Sequence, residues 1–189
     1  MNHQIFSKRR GAAFHILNAF ISSILLASVA AVAAINSQRD HLMPQEVELI
    51  REAQELDKRT DVFIKAAERR LLSLTDPHAA RSKQVQKDLE KWGELPKGTR
   101  AELLSDLSKI LDEAITNIDD ASARAPESKL LPKALRKLSE ASTGFLAQLA
   151  PMRTDTQDAR EREALEQAIE NVQEIVAAAS KLPPPPAKK

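Results

Sequence analysis

Side chains able to do chemistry are few in this sequence. The chain contains no cysteine, which excludes disulfides, thiolate metal sites and cysteine nucleophiles. Only His41 and His78 follow the N-terminal apolar stretch, and neither belongs to a His-Glu-x-x-His or Glu-x-x-His metal-binding pattern. We therefore expect both histidines to be solvated surface residues, and no metal or other cofactor to be bound.

Patterns for nucleophilic and phosphate chemistry are also missing. A catalytic triad would have to recruit His41 or His78, and no Gly-x-Ser-x-Gly sequence accompanies either. The four glycines, at positions 11, 93, 98 and 144, are too scattered for a phosphate-binding loop. Asp119 and Asp120 are neighbours, and side chains of neighbouring helical residues diverge by about 100°, so these carboxylates do not converge. The sequence therefore predicts that the protein is not an enzyme.

A dense charged stretch surrounds Phe63. Its basic residues form the candidate partner surface, which consists of Arg59, Lys65, Arg69 and Arg70. Asp57, Asp61 and Glu68 neutralise them, so a solvated helix face is the plainer interpretation. Under the alternative function, Arg69 or Arg70 would join carboxylates in a charged site between helices that binds a small ligand or catalyses a reaction.

The N-terminus carries the pattern of an export signal. Three basic residues and no acid precede the stretch 11–38, which has no fixed charge. Its sequence Ala31-Val32-Ala33 fits the small-x-small pattern of signal peptidase cleavage. We expect a signal peptide over residues 1–34, cleaved after Ala33 or Ala34. The alternative is an uncleaved anchor in the inner membrane, because about 20 apolar residues span a bilayer.

Both interpretations place the rest of the chain outside the cytoplasmic membrane, in the periplasm or secreted, with membrane contact only through the N-terminal segment. The chain has 28 basic and 27 acidic residues, and three of the basic ones lie in the leader, which leaves 25 against 27. A nearly neutral exported part lacks the electrostatic attraction that drives nucleic-acid binding. We therefore expect a protein partner or self-association, and no nucleic acid.

Composition and periodicity predict an all-α protein. Aromatic residues make up 3% of the chain and tyrosine is absent, which disfavours strands. Apolar residues recur at three- and four-residue steps in four segments, each a predicted long helix. These segments run from Pro44 to about Leu74, from Thr99 to before Pro126, from Leu130 to about Leu149, and from a cap at Asp155 or Thr156 to about Ala179.

A shorter, polar helix is predicted between the first two long helices, capped by Asp76 and opened by Pro77. In it Val85, Leu89 and Trp92 share one face, and we expect Trp92 to pack against the long helices. Four amphipathic helices bury their apolar stripes most simply against one another. The predicted fold is an antiparallel four-helix bundle over residues 44–181, with the short helix inserted and the hydrophobic export segment before it.

Two further features concern the third long helix and the C-terminus. Gly144, inside that helix, predicts a close approach of two helices. The Pro-rich tail, residues 182–189, has four prolines that favour an extended segment suited to a groove, and Lys188 and Lys189 could hold it to an acidic surface. A plain solvated terminus is the simpler expectation for this tail.

These features together predict an exported helical-bundle protein with a non-catalytic interaction, scaffold or envelope-associated role. The positive signals are the leader and the amphipathic helices, and the missing catalytic groups argue against an enzyme. The alternative remains a small-ligand-binding protein or enzyme that uses a charged site between helices.

Overall fold

The computed structural model describes residues 40–184. The expected export segment, its cleavage site at Ala33 or Ala34, and the end of the Pro-rich tail lie outside this range. Within it the chain is all-helical and contains no strand, which confirms the predicted fold class. The helices are α1 (Pro44–Glu52), α2 (Leu56–Thr75), α3 (Lys83–Trp92), α4 (Arg100–Arg124), α5 (Leu130–Leu149) and α6 (Ala159–Ser180). Two short 3-10 turns, Ala79–Arg81 and Ala150–Thr154, precede α3 and α6.

The first predicted long helix is in fact two helices. The chain leaves the helical conformation at Ala53, whose ψ is 92°, and α2 begins at Leu56. In an unbroken helix, positions 46 and 70 would be about 36 Å apart. Instead the Glu46 carboxylate contacts the Arg70 guanidinium, so α1 folds back onto α2. The prediction of one continuous helix from Pro44 to Leu74 was therefore wrong.

The short helix α3 begins later than the sequence predicted. Its N-cap is Ser82, whose hydroxyl accepts a hydrogen bond from the backbone N–H of Val85 at 3.2 Å. Trp92 is 8% exposed, which confirms that it packs against the protein. Gly93 ends the helix with φ of 69°, a backbone conformation that favours glycine.

The N-termini of α4 and α6 are capped by side chains, though only one cap was predicted correctly. Thr99 and Glu102 form the expected capping box at the start of α4. At α6 the cap is Asp158, whose carboxylate accepts from the N–H of Glu161 at 2.9 Å. Thr156, one of the two predicted caps, is instead buried and donates its hydroxyl to the carbonyl of Met152 at 2.8 Å.

The long helices α2, α4, α5 and α6 pack around one apolar core. Its fully buried members include Phe63, Leu71, Leu104, Leu107, Ile110, Leu111, Leu138, Leu149, Leu165 and Ile169. These side chains come from the stripes whose periodicity predicted the helices. Leu or Ile burial of this kind contributes about 1.5–3 kcal/mol per side chain.

Two neighbouring pairs of long helices run in the same direction. Arg100 contacts Glu161 at 2.8 Å, and eight residues along α4 Ser108 accepts a hydrogen bond from Asn171 at 3.0 Å, so α4 and α6 are parallel. Asp57 contacts Lys133 and Asp61 contacts Lys137 in the same way, so α2 and α5 are also parallel. The expected antiparallel packing does not hold for these two pairs. Helices α4 and α5 are consecutive in the chain but make few contacts, so α4 packs beside α6 and α5 packs beside α2.

Gly144 is not at a close helix approach. A Cβ added there would meet no atom within 4 Å outside its own helix, so the position is open space beside α5. The predicted reason for this glycine is therefore wrong, and a helical glycine without a steric role costs stability.

We expect Gly144→Ala to stabilise the full-length protein by about 0.5–1 kcal/mol, because alanine loses less backbone entropy in a helix. Urea unfolding followed by far-UV circular dichroism measures the change. The control is Gly93→Ala, which should destabilise by about 1–3 kcal/mol because of its positive φ. A destabilised Gly144→Ala would contradict the finding that this glycine has no steric role in the packing of the described helices.

Candidate functional site

The candidate partner surface predicted from the sequence is not one surface. Arg69 and Arg70 are only 3% and 1% exposed, so neither is a solvated residue available to an acidic partner. Arg59 and Lys65 are half-buried, and the Arg59 guanidinium donates to the carbonyl of Ala53 at 2.9 Å. The structure therefore corrects this prediction for Arg69 and Arg70.

The two buried arginines converge on Glu46, and these three residues are called the charge centre below. Glu46 lies on α1 and its side chain is fully buried. One carboxylate oxygen contacts both guanidinium groups, and the other accepts from the backbone N–H of Met43 at 2.9 Å. Arg70 also donates to the carbonyl of His41 at 2.6 Å. The charge centre thus fixes α1 and the residues before it onto α2.

Arg69 extends the charge centre to the loop after α3. Its guanidinium donates to the carbonyls of Trp92, Gly93 and Glu94, and it lies 5.8 Å from the centroid of the Trp92 ring. Burial lowers the pKa of Arg69, and the neighbouring Glu46 carboxylate opposes that shift. Arginine remains charged at ordinary pH. All its contacts are structural, so the charge centre has no guanidinium left for a ligand.

We expect Glu46→Gln to destabilise the full-length protein by about 3–5 kcal/mol, because it leaves two buried guanidinium groups without a carboxylate. Urea unfolding followed by circular dichroism measures the loss. Glu48→Gln, on the same helix, is the control: Glu48 pairs with Arg51 on the surface, and its loss should cost less than about 0.5 kcal/mol. Equal effects of the two substitutions would contradict a structural role for the charge centre.

A second buried acid lies at the start of α2. Asp57 was expected on a solvated face, but its side chain is fully buried, with the amino groups of Lys133 and Lys137 at 2.6 and 3.6 Å. Lys133 lowers the pKa of Asp57 through a hydrogen bond, against the opposing effect of burial. Its position in the first turn of α2 also suits a negative charge.

This lowered pKa makes stability depend on pH. The ionised form of Asp57 is favoured by folding, so its contribution is present above the unfolded-state pKa of about 3.9 and is lost as pH falls through the lower folded-state pKa. We expect acidification from about pH 6 to about pH 3 to lower the urea midpoint more in the wild type than in Asp57→Asn. Asp119→Asn, which changes an exposed acid, should behave like the wild type.

An open groove runs between the parallel helices α2 and α5, with a volume of about 610 Å³. We call it the α2–α5 groove. Its apolar residues include Ile64, Leu71, Leu72, Ala141 and Phe145. Its charged residues are Asp61, Lys65, Glu68, Arg69, Lys137 and Glu140. Arg69 belongs to the charge centre and pairs there with Glu46. No sequence signal predicted this groove, because it depends on which two helices become neighbours.

The lysines of the groove are already neutralised by acids. Lys137 contacts Asp61 at 2.7 Å, and Lys65 lies 3.4 Å from Asp88 and 3.8 Å from Glu68. The lysines of the rim therefore pair with acids instead of converging on one point in the groove, whereas Glu140 makes no ion pair among the described residues. An apolar floor with a paired polar rim suits a side of another polypeptide better than a small charged ligand.

The two histidines differ in their surroundings. His78 is exposed, as predicted. His41 is only 27% exposed, and its Nε2 lies 2.8 Å from a carboxylate oxygen of Glu113 on α4, so the expectation of a solvated residue was wrong for it. Asp119 and Asp120 are exposed, as expected of surface acids.

Two negative findings hold for the described part of the chain. Among residues 40–184, no three His, Asp or Glu side chains come together as ligands for a metal ion. No helix in that range combines the length and the hydropathy needed to cross a bilayer.

No protein-family model, curated protein or solved structure matches this chain.

Proposed function

We propose that this chain is an exported, non-enzymatic scaffold or adaptor protein that binds another polypeptide in the α2–α5 groove. The observation that carries the proposal is the groove itself, about 610 Å³ of open space between two helices, with an apolar floor and with its lysines paired to acids. An amphipathic helix or extended segment buries its apolar side in such a groove and keeps its polar side in water.

The architecture that we propose for this role is a four-helix bundle built from α2, α4, α5 and α6. Contacts at both ends of α5 and α6, Arg136 with Pro183 and Arg153 with Glu166, favour an antiparallel course for that pair. The parallel pair α2 and α5 then presents the groove on one side of the bundle. Export through residues 1–34 is part of the same proposal and has its support in the sequence pattern alone.

The alternative, a small-ligand-binding protein or enzyme, draws support from one observation. The groove has the volume of a ligand site, and charged side chains line it. Against this alternative, Glu46 engages Arg69 and Arg70, and the groove lysines have acidic partners. Polypeptide binding is therefore the function that the geometry supports better.

A photo-crosslinking amino acid at Gln148, which lines the groove, tests the proposal in cells that make the full chain. We expect one discrete crosslinked product, either with another protein or with a second copy. Gly144→Trp should lower the yield of this product at least tenfold, because an indole fills open space in the groove.

The control position for the crosslinker is Thr116, an exposed residue of α4 away from the groove. Crosslinking that is equal at Thr116 and Gln148, or unaffected by Gly144→Trp, would overturn the proposal. The small-ligand alternative would be favoured by two results together: no crosslinked protein at Gln148, and one compound of a metabolite panel that raises the melting temperature of the wild type but not of Gly144→Trp.

A further inference from the structure

The last described residues of the chain turn onto α5. Helix α6 ends at Ser180, and the carbonyl of Pro183 then accepts a hydrogen bond from the Arg136 guanidinium at 2.6 Å. Arg136 lies in the second turn of α5. The Pro-rich tail, which continues over residues 185–189, therefore starts at the surface of one of the two helices that form the α2–α5 groove.

A row of positions on α5 leads from that starting point into the groove. Arg136, Glu140 and Gly144 are spaced four residues apart, so they are neighbours on the helix surface. Each step of four residues rotates by about 40° around the axis, because the helix has 3.6 residues per turn. Arg136 contacts the chain after α6, whereas Glu140 and Gly144 line the groove, so the row crosses the exposed face of α5 from the α6 side to the α2 side.

The length of the tail matches this row. The eight residues from Arg136 to Gly144 rise by about 12 Å along α5. Four residues span at most about 14 Å when fully extended, so the chain beyond residue 184 is long enough to reach from Arg136 to Gly144. Gly144 offers open space at the end of the row, since a Cβ there would meet no atom within 4 Å outside its own helix.

Charge favours the same path. Glu140 is exposed and makes no ion pair among the described residues, and Glu68 on the facing wall is held only at 3.8 Å by Lys65. The lysines of the groove are occupied by Asp57, Asp61 and Asp88. Glu140 and Glu68 are therefore the acids of the groove that are least neutralised, and Lys188 and Lys189 supply the opposite charge.

We propose that the end of the Pro-rich tail, residues 185–189, lies along the row from Arg136 to Gly144 and occupies the mouth of the α2–α5 groove, with its lysines beside Glu140 and Glu68. This inference goes beyond the proposed function. Its consequence for binding rests on the proposed function, because a polypeptide that binds the groove must displace the tail. The tail then acts as an internal competitor that lowers the affinity for the partner.

Disulfide trapping tests the position of the tail, and the natural absence of cysteine makes the reporter unambiguous. Two cysteines are introduced into the full chain, Ala187→Cys with Gly144→Cys. We expect an intramolecular disulfide to form at least about tenfold faster than with Ala187→Cys and Thr116→Cys, because docking raises the effective concentration of the two thiols. Thr116 is exposed, and its neighbours Ile115 and Ile118 line a pocket with Leu135, which adjoins Arg136. The control thiol is therefore near the start of the tail but on another helix.

Charge reversal provides the second measurement. Glu140→Lys, added to the pair of cysteines at 187 and 144, should slow disulfide formation several-fold, because it repels Lys188 and Lys189. Circular dichroism checks that each variant folds. Equal rates at positions 144 and 116 would overturn the inference in favour of a solvated tail, and a disulfide found only between two chains would overturn it in favour of self-association.

The two proposals fail separately. If the tail is trapped at position 144 but the crosslinker at Gln148 captures no polypeptide, the tail position stands and the binding function falls. If the crosslinker captures a partner in the groove while the trapping rates are equal, the function stands and the tail inference falls. If both proposals hold, removal of residues 185–189 should increase the crosslinking yield at Gln148 by several-fold, up to about tenfold, because a weak internal competitor is lost.

Discussion

The structure depends on the burial of one carboxylate between two guanidinium groups. Glu46 is inaccessible to solvent. Its carboxylate oxygens contact the guanidinium groups of Arg69 and Arg70 and accept a hydrogen bond from the N–H of Met43. Removing two arginines from water is costly unless an acid and several carbonyls replace the lost hydration. That requirement forces α1 to fold back onto α2, and it holds the loop after α3 against the same helix through the carbonyls that Arg69 contacts. The charge centre is therefore a joint between three segments and not a binding site.

This joint leaves another side of α2 free to form the groove. The side chains of Asp61, Ile64 and Glu68 point to the α2–α5 groove, whereas the guanidinium of Arg70 points to α1. Helix α5 is placed beside α2 by the buried Asp57, whose carboxylate is close to both Lys133 and Lys137. One helix thus supplies both buried structural charge and an accessible, partly apolar surface, and Arg69 lies where the two meet, since it pairs with Glu46 and also lines the groove. That division of α2 is the physical basis for proposing polypeptide binding and a tail that competes for the same space.

The sequence was informative wherever local rules act. Periodicity of Leu and Ile side chains predicted the long helices, because burial of one face is read directly from three- and four-residue spacing. The Thr99 and Glu102 pair predicted the start of α4, because the capping box is formed within four residues. At α6 the same kind of rule selected the wrong residue, since Asp155, Thr156 and Asp158 all qualify as caps and the packing of Thr156 against Met152 decides among them. Gly144 misled for a similar reason, because a helical glycine predicts close packing whether or not a neighbour is present.

What the sequence determined by itself is the all-helical class, the approximate extents of α4, α5 and α6, and the lack of cysteine and of recognisable catalytic patterns. Only the tertiary structure decided that Arg69 and Arg70 are buried, that Glu46 is their partner, and that α2 and α5 lie side by side around a groove. The physical reason is distance along the chain. Helix formation and capping involve residues within a few positions of one another, whereas a buried ion pair between residues 46 and 70, or a groove between α2 and α5, exists only after distant segments have packed.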